Sequence, residues 1–211
     1  MTGQAVDYPA RVSVDYPHKL DRLTTLLRIP CAIPILIILA LITASGAATS
    51  GQDSANSETH GGLAAGLAVA TALMIVFRRK YPRWWFDFVR ELARFGGRVF
   101  AYLSLLTDRY PSTDDEQGVH VEIDYPNAGV DLNRWLPLVK WVLAIPHVFL
   151  LALLWILTIP VLIGAWVAIL LTGTYPRALF DFVVGVFRWS LRVTAYAFLL
   201  VTDRYPPFSL R

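Results

Sequence analysis

The stretch YPRWWFDFVRELARFGGRVFAYLSLLTDRYP at residues 81–111 returns at residues 175–206 as YPRALFDFVVGVFRWSLRVTAYAFLLVTDRYP. The words YPR, FDFV, RV, AY and TDRYP occur in the same order in both copies. Similarity between distant parts of one chain predicts an internal tandem repeat. Two further words are repeated upstream: VSVDYP (12–17) as VEIDYP (121–126), and RIPCAIP (28–34) as KWVLAIP (140–146).

The repeat divides the chain into two halves of similar order, separated in the polar stretch STDDEQG at residues 112–118. Each half is predicted to contain a strand, an apolar hairpin and a helix. The first repeat, residues 1–111, has its hairpin at 29–77 and its helix at 82–106. The second repeat, residues 112–211, has its hairpin at 138–172 and its helix at 177–201.

Composition indicates a membrane protein. Of the 211 residues, 55% are hydrophobic and 17% are charged, whereas soluble domains carry about 25% charged residues. Residues 29–48 form a run without charge that has the length of about 20 residues needed to cross the hydrocarbon core. The uncharged run at 141–172 would be about 48 Å long as one helix, so a hairpin turning near Pro160 is predicted there.

The predicted fold class is therefore all-α integral membrane. It comprises four transmembrane helices as two hairpins, two amphipathic interfacial helices and two short cytoplasmic β-strands. The alternation in RVSVD and HVEID predicts those strands, and they are expected to pair. Positive residues mark the cytoplasmic side, which places the chain in the inner membrane as a multi-pass protein with both termini in the cytoplasm.

Basic residues within the repeated helices are the main candidate sites. An arginine at the bilayer centre costs at least about 2.5–3.5 kcal/mol, so these helices are predicted to lie in the headgroup plane, where guanidinium groups meet phosphates. A third span in each repeat is the alternative. The predicted headgroup-binding residues are Arg78, Arg79, Lys80, Arg83, Arg94, Arg98, Arg188 and Arg192.

Two smaller sets of residues have alternative interpretations. Gly62, Gly66 and Ala70 are spaced four apart and predict a face for close helix packing, either within the protein or against a partner. Asp87 and Asp181 are interpreted as carboxylates near helix N-termini, as partners of a neighbouring arginine, or as a proton or ion pair.

The word TDRY is predicted to stop each helix, with Asp108 and Asp203 pairing with the arginine that follows. The chain has one cysteine and four scattered histidines, and no nucleophile, phosphate-binding or dinucleotide motif. No catalytic residue, metal or cofactor is predicted.

The segments LPLVKWVLAIPHVFLLALL and VAILLTGTYPRALFDFVVGVFRWSLRVTAYAFLLVTDRYPPF of the second half resemble a family of actinobacterial, mycobacterial-type multi-pass membrane proteins. That family is catalogued as a domain of unknown function. The first half resembles a diverged copy with a longer polar loop. The resemblance implies a location and an architecture, and it supplies no catalytic residues.

These features predict a non-enzymatic accessory or scaffold subunit of the inner membrane that binds anionic lipid headgroups and docks a larger transport or cell-envelope complex. The expected partners are membrane phospholipids and a membrane protein complex or a second copy of the chain, without nucleic acid. The alternative is a small transporter or channel for a lipid or amphiphile, with a pathway between the repeats. An enzyme acting on lipids is a third alternative.

Overall fold

The computed structural model describes residues 8–17, 19–44, 63–78, 81–112, 117–126, 132–133 and 135–210. Helices and a single pair of strands make up this part of the chain. In order, the elements are β1 (Ala10–Val14), α1 (Arg22–Ala44), α2 (Leu63–Leu73) with a π-helical continuation (Met74–Arg78), α3 (Arg83–Leu103), β2 (Val119–Ile123), α4 (Leu136–Thr172) and α5 (Arg177–Ala197).

The second apolar run forms one helix, so the predicted hairpin at 138–172 is wrong. Helix α4 continues through Pro146 and Pro160 for 37 residues. Proline within a helix removes one backbone hydrogen bond, whereas a reversal of the chain would leave the end groups of two helices without partners in an apolar region. Since LTIP offers no glycine or asparagine to make that turn, the continuous helix is favoured.

The prediction of four transmembrane helices in two hairpins is wrong. Arg28 and Tyr81 are 53 positions apart, and their counterparts Lys140 and Tyr175 are 35 apart. The difference of 18 matches residues 45–62, which lie outside the described part of the chain. Helix α4 thus corresponds to α1 and α2 joined end to end. Within the described ranges, only α4 is long and apolar enough to cross a membrane, judged by length and composition.

The prediction that the two strands pair is confirmed. β1 and β2 form an antiparallel ribbon in which Val12 lies opposite Val121. These valines occupy the same place in the two repeated words, so the ribbon is symmetric about their pair. The flanking pairs agree, because Ala10 with Ile123 corresponds to Val14 with Val119. The register of the ribbon therefore has a local two-fold axis through the Val12–Val121 pair.

The helices form two layers on one side of this ribbon. Helices α3 and α5 contact the ribbon, and α4 packs along α5 on the other side. The predicted helices at 82–106 and 177–201 correspond to α3 and α5. Helix α5 is largely buried because it lies between β1 and α4. The core of the protein is therefore the interface between its halves.

Both repeated helices end in the same strained way. They stop at Leu103 and Ala197, several residues before the prolines of TDRYP. Leu105 and Leu200 have positive φ angles of 65° and 56°, and a left-handed conformation costs a non-glycine residue about 1–2 kcal/mol. Both leucines are buried, so packing holds this turn in each half.

Candidate functional site

A buried ion pair lies at one end of α4. The side chain of Lys140 is completely buried, and its Nζ lies 2.7 Å from Oδ1 of Asp203. The same ammonium group donates a hydrogen bond of 2.8 Å to the carbonyl of Thr202 and lies 5.2 Å from the ring centre of Tyr196. Because a buried charge is tolerated only when it is paired, this lysine depends on Asp203.

The first half contains a matching pair. Arg28 is 3% exposed and forms an ion pair with Asp108. Its guanidinium donates a 2.6 Å hydrogen bond to the carbonyl of Tyr102 and lies 4.8 Å from that ring. Each half thus secures the end of its repeated helix to a cation on the preceding apolar helix.

These pairs correct the prediction that each TDRY aspartate pairs with the next arginine. The partners in the structure are Arg28 and Lys140, which are distant in sequence. Sequence reasoning missed this arrangement. The sequence did contain a signal for it. Both halves have a basic residue at the start of the matched segments RIPCAIP and KWVLAIP, and both have the aspartate of TDRYP.

Tyrosines tie each half to the other. The hydroxyl of Tyr81 donates to the carbonyl of Leu199 at 3.0 Å, and that of Tyr175 donates to the carbonyl of Ser104 at 3.5 Å. Burial raises the pKa of both phenols, so they stay protonated donors at neutral pH. The start of each repeated helix is therefore bonded to the end of the other.

A second crossed set uses the tyrosines of the two DYP words. Tyr16 donates to the carbonyl of Tyr175, and Tyr125 donates to the carbonyl of Tyr81. A ring contact also joins the two halves, because the ring centroids of Tyr16 and Phe180 are 5.0 Å apart. Neither half has a complete core without the other.

Four of the arginines predicted to bind headgroups contact the backbone of the protein. Nε of Arg94 donates to the carbonyl of Val121 at 3.0 Å, and Nε of Arg188 donates to that of Val12 at 3.3 Å. These two contacts clamp the ribbon onto α3 and α5. Arg98 and Arg192 donate to the carbonyls of Ser112 and Ser209. All four arginines therefore have a structural role, and headgroup binding by them stays a prediction.

The other predicted basic site lies near the junction of α2 and α3. Arg78 and Arg83 are exposed, and the guanidinium of Arg83 lies 5.4 Å from the ring centre of Tyr125. Arg79 and Lys80 lie outside the described residues. The exposed arginines are available to an anionic ligand, and this site stays a prediction.

The acidic candidates lie on α3 and α5. Asp87 forms an ion pair of 3.2 Å with Arg90 one turn later, which agrees with the interpretation as a partner of a neighbouring arginine. Asp181 is exposed on α5. A proton or ion site shared by the two carboxylates stays a prediction.

Gly66, on α2, makes no close contact within the described part of the chain. A Cβ atom added at Gly66 would meet no atom within 4 Å, and Ala70 is half-buried. Gly62 lies outside the described residues. The described part of the chain therefore does not support packing of Gly66 within the protein. Packing of Gly66 against a partner stays a prediction.

One cavity distinguishes the two halves. It has a volume of about 320 Å³ and lies between α2, α3 and α5, lined by Leu67, Thr71, Val89, Leu92, Ala93, Thr194, Phe198 and Leu199. Ala93 and Thr194 correspond by the repeat to Phe187 and Phe100. The rings of those phenylalanines pack together with centroids 4.5 Å apart. The space beside Ala93 and Thr194 is therefore open, whereas the matched position is filled by the rings of Phe100 and Phe187.

Among the residues that the structure describes, no group of three or more His, Cys, Asp or Glu side chains is arranged to hold a metal ion. No curated protein and no solved structure matches the chain.

The second half matches a known protein family. The matched residues, 135–209, include α4, α5, Lys140 and Asp203. This agrees with the resemblance seen in the sequence, while an actinobacterial source stays a prediction. The family is described as Domain of unknown function (DUF4389), and residues 135–209 are similar to it.

Proposed function

We propose that the chain is a non-enzymatic membrane scaffold, embedded through α4, that binds anionic lipid and docks a larger protein complex. The observation that carries this proposal is the distribution of polarity around α4. Its cation Lys140 is turned into the protein, and its outer face is apolar and exposed. Soluble monomers rarely expose an apolar patch larger than a few hundred Å².

The outer face of α4 is extensive. Of the residues in its most apolar window of 18, only 17% are buried. Large apolar side chains at least 60% exposed occur along most of its length, and they are Val142, Ile145, Phe149, Ile156, Ile159, Ile163 and Leu171. Contact with lipid removes this surface from water at a gain of about 25 cal/mol per Å².

We also propose that the first half is a diverged copy of the domain matched at residues 135–209. The two ion pairs, the crossed tyrosine bonds and the symmetric ribbon support it. Each of these ion pairs, tyrosine bonds and strand pairs has a counterpart formed by matched residues of the other half. The pair of domains would form one rigid platform in the inner membrane, with Arg78 and Arg83 available to headgroups and Gly66 to a partner helix.

Membrane embedding and docking are tested on the full chain, tagged and expressed at its native level. We expect the protein to stay in the membrane pellet after extraction with alkaline carbonate, and a larger protein complex to copurify in mild detergent after cross-linking. Release by carbonate would contradict embedding. Recovery of the chain alone after efficient cross-linking would contradict the docking role.

The cavity favours the second candidate function, binding and movement of an amphiphile. Its volume is at the lower end of the range of about 300–1,000 Å³ typical of ligand sites, and its lining is mostly apolar. We expect the change Thr194→Phe, which restores the ring found at the matched position, to reduce retention of phosphatidylglycerol by about tenfold or more. Excluding two methylene groups of the lipid from the cavity costs about 1.6 kcal/mol, which already corresponds to a tenfold loss of affinity.

Retention is measured by native mass spectrometry of the full chain after addition of phosphatidylglycerol. The matched control is Phe100→Thr, the reverse change in the other half, which leaves the lining of the cavity intact and is expected to retain the lipid. Equal retention by the wild type and the Thr194→Phe variant would exclude this cavity as the amphiphile site.

A further inference from the structure

The ribbon lies at the middle of the length of α4. Arg94 and Arg188, which hold the ribbon, are each the twelfth residue of a 21-residue helix. Helix α5 runs antiparallel along α4. Ala144 packs near Ala197 at one end, and a Cβ at Gly164 would lie 4.0 Å from Leu179 at the other. The centre of α5, and with it the ribbon, therefore lies beside the centre of α4.

The ribbon is polar on its outer side. The exposed fractions of its charged side chains are 44% for Arg11, 63% for Glu122 and 54% for Asp124. If α4 crossed the membrane, its centre would lie at the bilayer centre, and the ribbon beside it would place these charges in hydrocarbon. Arg11 pairs with both carboxylates, but exposed ionised groups at that depth still oppose insertion, so the fold disfavours a crossing α4.

The length of α4 supports the same conclusion. A helix of 37 residues is about 55 Å long, well beyond the hydrocarbon thickness of about 30 Å. When the helix lies flat, its uncharged outer face meets the acyl chains along its whole length and α5 covers its inner face. This is the arrangement of a helix that lies in the membrane interface.

Exposed basic residues occur at both ends of α4. Arg22 donates to the carbonyl of Leu171 near the end of α4, and Arg177 follows shortly after. Near the beginning of α4, Tyr81 bonds to Leu199, which brings Arg83 to this end. Anionic headgroups attract such residues. Basic residues at both ends suit a helix whose ends lie at one depth, facing one layer of headgroups.

We propose that the protein is embedded in a single leaflet, with α4 parallel to the membrane plane, the two-fold axis along the membrane normal and the ribbon facing water. The occupant of the apolar face is thus the acyl layer of that leaflet. This inference rests on the proposed membrane role and adds its geometry. It predicts that Trp135, Thr174 and Ser13 are all on one side of the membrane.

The test uses single cysteines in the full chain, after the native cysteine is removed by Cys31→Ser. Trp135→Cys and Thr174→Cys report the ends of α4, and Ser13→Cys reports the ribbon. Each variant is treated with a membrane-impermeant maleimide in sealed vesicles of both orientations. We expect all three to be labelled in the same orientation only. Phe149→Cys, on the exposed outer face, is expected to react only after detergent is added.

Labelling of Trp135→Cys and Thr174→Cys in opposite orientations would overturn the inference, since α4 would then cross the membrane. Protection of Ser13→Cys in both orientations would also overturn it. Reaction of Phe149→Cys without detergent would remove the lipid contact on which it depends. A carbonate-extractable wild type would instead contradict the proposed membrane role, so the two failures are distinguishable.

Discussion

The change Asp203→Asn is expected to lower the free energy of unfolding by about 3–5 kcal/mol, the cost of removing one partner from a buried ion pair. Lys140 has no exposed side-chain surface, so without Asp203 it would either hold an unpaired buried charge or release its proton, and both outcomes cost stability. The measurement is chemical unfolding of the full chain in mild detergent, followed by tryptophan fluorescence. We expect Asp108→Asn to have a similar effect through Arg28, which is also nearly inaccessible.

Two controls define the cause of that loss. The double variant Lys140→Met with Asp203→Leu is expected to recover most of the stability, because replacing a buried pair by apolar residues is often neutral. Asp181→Asn, at an exposed position of α5, is expected to change stability by less than about 0.5 kcal/mol. If Asp203→Asn were as mild as Asp181→Asn, the pair would have no structural importance.

The second large effect is expected at the centre of the ribbon. Val121 is 3% exposed, and its Cγ2 lies 3.0 Å from the position of a Cβ at Gly97. The change Val121→Asp buries a carboxyl group that must be protonated at pH 7. Protonating an aspartate of ordinary pKa at this pH costs about 4 kcal/mol. It also loses a buried valine, worth about 1.5–3 kcal/mol. The sum approaches the whole stability of many domains.

The symmetry of the ribbon makes a further comparison informative. Val12→Asp is expected to cause a loss equal to that of Val121→Asp within about 1 kcal/mol, because the two valines occupy equivalent places in the ribbon and are similarly buried. Ser13→Asp and His120→Asp, on exposed positions of the same strands, serve as controls. Urea unfolding curves that differ widely between the two valine variants would contradict the two-fold relation.

The elements that the sequence predicted correctly depend on local patterns. The strands followed from alternation over five residues, and α3 and α5 followed from the repeated stretches at residues 81–111 and 175–206. The prediction of a hairpin at 138–172 was wrong because it assumed that a helix of this length must cross the bilayer. Pro160 alone does not reverse a helix in apolar surroundings.

The contacts of the site were harder to predict because they join distant residues. Arg94 and Arg98 are four residues apart and lie on one helical face, but spacing does not say whether headgroups or a ribbon cover that face. The pairing of Lys140 with Asp203 depends on the return of α5 along α4. A local pattern favours the neighbouring arginine instead.

The pairing of β1 with β2 has a consequence for synthesis. Val12 leaves the ribosome 109 residues before its partner Val121, a delay of about 5–20 s at 5–20 residues per second. During that time β1 presents an unpaired edge and the first half lacks the tyrosine contacts that the second half supplies. We therefore expect a holding factor, or the membrane surface itself, to protect β1 until β2 has been synthesised.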